Sequence, residues 1–192
     1  MPTRHVILLL ALWLAASLAL GASGVLTGLK PPLPQAILVA ITILVILAGI
    51  FIRPLRQWAM SVDLRLPVAF HLTRFVGFYF LYLYSRDELP YAFAVPGGIG
   101  DIIVAALALL LIMTTSPNTP RGRWLYLGWN ILGLIDILGV VATAATQALT
   151  VPGSMDALLR LPLCLLLLFV VPIIIATHVL LMVRLLRTSS VG

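Results

Sequence analysis

The sequence predicts an all-α fold, a polytopic membrane helix bundle of six transmembrane helices with both termini cytoplasmic. Three observations carry that expectation. Mean hydropathy is +1.17, and only 9% of the residues are charged. Six apolar segments approach the roughly 20 residues a helix needs to cross a hydrocarbon core about 30 Å thick. The runs are continuous and Leu-rich, without the period-two alternation of a barrel strand.

The elements follow in order. The first span, residues 6–26, sets VILLLALWLAASLAL behind MPTRH. With Gly21, Ala22 and Ser23 it also resembles a signal peptide. We read it as an uncleaved helix; cleavage would leave five spans and the same orientation for the rest. Pro31, Pro32 and Pro34 separate it from the second span, residues 35–52. The third is expected over residues 64–84 and the fourth over 97–113, just behind Pro96. Pro117 and Pro120 then precede the fifth span, residues 124–146, and Pro152 with Gly153 the sixth, residues 161–184. Residues 1–192 read as a single transmembrane domain.

Basic residues orient these spans. With the N-terminus inside, eight of the twelve face inward, namely Arg4, Arg53, Arg56, Arg65, Arg121, Arg123, Arg184 and Arg187. Three, Lys30, Arg86 and Arg160, face outward, and Arg74 lies within a span. The net charge of +6 is therefore mostly a topology signal. It does not point to nucleic acid, because no basic strip is interleaved with aromatics. The lone cysteine, Cys164, excludes an internal disulfide and is expected to pack among leucines. A retinal Schiff base needs a lysine inside a span, and the one lysine, Lys30, lies in a loop. GGIG lacks the third glycine and preceding strand of a dinucleotide fingerprint. RPLRQW and TPRGRW are alike only as inner loops, so no repeat is assigned.

The informative residues are polar ones within apolar runs. Arg74 and Asp136 each fall about midway along their helices and can meet at one depth, as a structural ion pair or a functional one. In VPGGIGDIIVA, Asp101 is expected about 6 Å below the outer boundary, one turn into its helix, and poorly matched in depth to Arg74. There it either stabilises the helix start through the dipole or stands at the outer mouth of a polar cavity. The cavity reading takes PGGIG as irregular backbone. His71 and His178 match in depth, and Asn130 lies near them. The structural glycines are Gly97, Gly98, Gly100 and Gly133, small enough for close helix approach or for a ligand.

Three function classes compete for Arg74, Asp101, Asn130 and Asp136. A small-solute or proton-coupled carrier uses the aspartates as titrating or substrate-binding groups and Arg74 as countercharge. A b-type cytochrome uses His71 and His178 as axial ligands of haem b. An intramembrane metal-dependent hydrolase adds a carboxylate to those histidines. The carrier accounts for most residues, so the chain is read as a transporter before an enzyme. The partners expected are the lipid bilayer and a small solute or proton.

Arg74, GIGD, WN, Asp136 and PLCLLLLFVVPIIIATH together resemble small multi-spanning bacterial integral membrane proteins that are uncharacterised. The likeness covers residues 65–183. It implies a bacterial cytoplasmic (inner) membrane and no activity.

Overall fold

A computed structural model describes residues 3–187, and every regular element among them is helical. Helix α1, Thr3–Ala22, ends where Gly24 adopts a left-handed conformation, and a 3-10 turn follows at Val25–Gly28. Helix α2, Leu33–Phe51, starts with Pro34 in its first turn, where a missing N–H costs no helical bond. Helix α3, Arg53–Ser61, turns the basic stretch RPLRQWAMS into a short helix that hydropathy alone does not separate from a loop.

The third span, Arg65–Tyr84, changes winding twice. Helix α4, Arg65–Phe70, leads into a 3-10 stretch, His71–Val76, and then α5, Gly77–Tyr84. Three residues per turn bring positions i and i+3 into line, so His71, Arg74 and Gly77 fall on one face.

Helix α6, Tyr91–Thr114, opens after Pro90 and runs unbroken through Pro96, Gly97 and Gly98. This corrects the expectation of irregular backbone at PGGIG and of a helix starting at residue 97. Asp101 accordingly lies ten residues, about 15 Å, into its helix instead of one turn. Helix α7, Pro120–Thr150, is longer than expected at both ends. The sixth span, Leu166–Arg187, begins with a π turn at Leu166–Val170 and continues as α8, Val171–Arg187. Pro172, which removes one ladder bond, stands directly after the π turn.

Among the described residues, six helices are long and apolar enough to cross a membrane. Large apolar side chains such as Leu8, Leu44, Met113 and Ile135 are exposed on them, as a lipid solvent requires and water does not favour. The termini beyond residues 3 and 187, and with them the expectation of cytoplasmic ends, lie outside the described residues.

The chain divides into two compact units. Unit 1 comprises residues 3–61 and 145–176. Its core is Leu26, Leu159, Cys164 and Leu168, with Ile37 and Ile41 packed against it, so Cys164 does sit among leucines. Trp13 meets Phe169 edge-on at 4.9 Å between ring centroids. Unit 2 comprises residues 62–144 and 177–187. Val68, Val104, Ala108, Tyr126, Leu127, Trp129, Leu181 and Leu185 form its apolar core.

Candidate functional site, an ion cluster beside a histidine pair

The site lies wholly within unit 2 and begins with a close crossing of two backbones. A Cβ added to Gly98 would meet the Gly77 carbonyl oxygen at 2.8 Å, and one added to Gly77 would run into the Gly98 carbonyl. Only glycine on both sides permits this approach. Arg74 stands three residues before Gly77, and Asp101 three residues after Gly98. Running in opposite directions from the crossing, the two chains carry these side chains to the same side of it.

There Arg74 Nε donates to Asp101 Oδ1 at 2.6 Å. Arg74 Nη1 donates to the Gly133 carbonyl at 3.0 Å, and Nη2 donates to Asp136 Oδ2. One guanidinium thus joins three spans. The sequence pairs Arg74 with Asp136 at a shared depth; Asp101 joins them because its helix begins at Tyr91. Its assignment to an outer cavity mouth is corrected accordingly. The Arg74 and Asp101 side chains are 1% and 4% exposed, whereas that of Asp136 is 22% exposed.

The remaining glycines make room. A Cβ at Gly100 would collide with Asp136 Oδ1. Gly97 packs against Val140, one turn beyond Asp136, with 3.4 Å from an added Cβ to Val140 Cγ2. At Gly133 an added Cβ would fall 2.7 Å from His178 Cε1 and 3.0 Å from Val104 Cγ1. The glycines therefore admit neighbouring atoms of the protein itself.

His71 and His178, both fully buried, lie beside the cluster with ring centroids 4.3 Å apart. His71 Nε2 is 3.1 Å from Thr177 Oγ1, and its ring stands edge-on to Trp129. Asn130 Nδ2 donates to the His178 carbonyl at 3.1 Å. That contact fixes the amide orientation, so Asn130 Oδ1 accepts from His178 Nδ1 at 2.8 Å. The network leaves His71 Nδ1 and His178 Nε2 buried without a hydrogen-bond partner. Gly77, Trp129 and Thr177 belong to the site although the sequence does not single them out as site residues; the place of Thr177 next to His178 is the one signal that points to it.

The haem expectation can be tested on this geometry. Axial ligands of one iron face each other across the macrocycle, and two rings in contact at 4.3 Å leave no layer for it. The arrangement does not fit a haem between His71 and His178. Nor are three or more His, Cys, Asp or Glu side chains grouped to hold a metal ion among the described residues.

Comparison with known families adds one finding. A domain of unknown function, DUF8737, matches residues 31–186. The chain belongs to this family. The match begins ahead of α2 and takes in every residue of the cluster, extending further toward the N-terminus than the resemblance over 65–183. No curated protein and no solved structure matches the chain.

Proposed function

We propose that this protein is a multi-pass carrier of the bacterial cytoplasmic membrane and that unit 2 moves a proton, or a small solute coupled to one, through the cluster of Arg74, Asp101 and Asp136. The observation that carries the reading is the sharing of one buried guanidinium by two carboxylates from two other spans. Charges in a membrane interior cost about 2.5 to 3.5 kcal/mol each even on lenient insertion scales, and they commonly mark ion and proton pathways. A purely structural pair would need one acid. The second leaves the cluster one negative charge in excess, which a proton or a cationic solute can neutralise. Six apolar helices and the exposed apolar side chains support the lipid bilayer as the protein's solvent.

The test is proton flux into liposomes carrying the purified protein, driven by a potassium diffusion potential and read by a trapped pH dye. Flux above that of empty liposomes, abolished in Asp136→Asn, is the expected result. Flux no greater than in empty liposomes would sink the proton reading.

A further inference from the structure

Building on that reading, we propose that the cluster holds one exchangeable proton per chain and that Asp136 carries it, while Arg74 and Asp101 remain a permanent ion pair. The count follows from charge. One guanidinium against two carboxylates is neutral only when one carboxyl is protonated, and an uncompensated buried charge is strongly unfavourable.

The choice of Asp136 follows from geometry. Asp101 is held at 2.6 Å by Arg74 Nε, immediately beside the Gly77 and Gly98 crossing, with 4% of its side chain exposed. Asp136 uses Oδ2 toward Arg74, and its side chain, 22% exposed, is the less enclosed of the two acids. Its Oδ1 occupies the place a side chain at Gly100 would take and makes no bond to Arg74. Uptake converts the Asp136 carboxylate to a carboxylic acid with the proton on Oδ1, and Oδ2 goes on accepting from Arg74.

The other titratable neighbours are His71 on the third span and His178 on α8. Arg74 Nη1 bonds the carbonyl of Gly133, the residue His178 packs against, and His71 touches His178. An imidazolium at either position would set a second positive charge beside the guanidinium. The carboxyl is the better place for the proton.

A hydrophobic carbodiimide discriminates, because it reacts with protonated carboxyls in apolar surroundings and leaves an adduct that peptide mass spectrometry can locate. With the intact protein in lipid nanodiscs, the adduct is expected on Asp136 and absent from Asp101, and labelling is expected to be lost as pH rises. In Asp101→Asn the remaining Arg74 and Asp136 charges balance, so labelling of Asp136 should disappear at a pH where the wild type reacts. An adduct on Asp101, no adduct at any pH, or undiminished labelling in Asp101→Asn would each overturn the assignment. Wild-type mapping alone is decisive if the variant fails to fold. Labelling on Asp136 without proton flux would keep this assignment and remove the transport reading; flux with the adduct on Asp101 would do the reverse.

Discussion

In unit 1 the buried hydroxyls of Ser17 and Thr42 each donate to a carbonyl of their own helix, those of Trp13 and Leu38, at 2.9 and 2.7 Å. In unit 2 the buried Arg74, Asp101, Asn130 and His178 find their partners on other helices. A hydroxyl satisfied by its own helix places no demand on where the neighbouring helices stand. A guanidinium bonded to two other spans does, since each bond fails if one helix rotates or slides. The two buried hydroxyls of unit 1 therefore impose no register on its helices, while the shared guanidinium of unit 2 does.

The largest effect should come from breaking the shared ion. Arg74→Met leaves the buried Asp101 carboxylate without countercharge beside Asp136, and a loss of about 3 to 5 kcal/mol is expected by analogy with buried pairs in soluble proteins. Adding Asp101→Leu and Asp136→Leu should recover much of it, since no charge then remains unpaired. Thermal melts of the combinations in detergent measure the coupling. Single effects that add to within about 0.5 kcal/mol would show that the three residues are energetically independent.

An intermediate effect is expected at the crossing. Gly77→Ala forces a Cβ into the Gly98 carbonyl, a backbone atom that cannot turn aside, and should cost about 1 to 3 kcal/mol. Gly49→Ala in α2 meets nothing within 4 Å and should be neutral or stabilising, by up to about 1 kcal/mol of helix propensity. Melting temperatures that move the same way in both variants would mean that close packing is not what separates the units. The smallest change belongs to Ser17→Ala, expected to stay within about 0.5 kcal/mol because the lost bond is local to one helix. A loss several times larger would give unit 1 a polar constraint of its own.

The six apolar helices among the described residues were legible because the length and apolarity a bilayer crossing requires can be read directly from the sequence. Arg74, Asp136, His71, His178 and Asn130 could be singled out because polar groups in such runs need partners. At PGGIG the sequence predicts a helix that starts at residue 97 and, in the cavity reading, irregular backbone before it, and neither is found. The proline and glycines are tolerated inside α6, and Gly98 serves close packing against Gly77. That one misjudged helix start displaced Asp101 by about two turns and concealed its bond to Arg74. The 3-10 winding of His71–Val76 was likewise invisible, since a short change from 3.6 to 3.0 residues per turn leaves no compositional trace.

The Gly77 and Gly98 crossing has a further consequence for how such a chain can vary over generations. Substitutions elsewhere on the two helices can accumulate one at a time. Inserting or deleting a single residue between Gly98 and Asp101 would swing the carboxylate about 100° around α6 and away from Arg74. The same holds between Arg74 and Gly77 on the facing span. The geometry of this corner therefore depends on the lengths of the two three-residue intervals as well as on the residues at their ends. A related chain that keeps an arginine three before one glycine, an aspartate three after the other, and a glycine directly before that aspartate, where a side chain would run into the Asp136 carboxylate, can still assemble this corner.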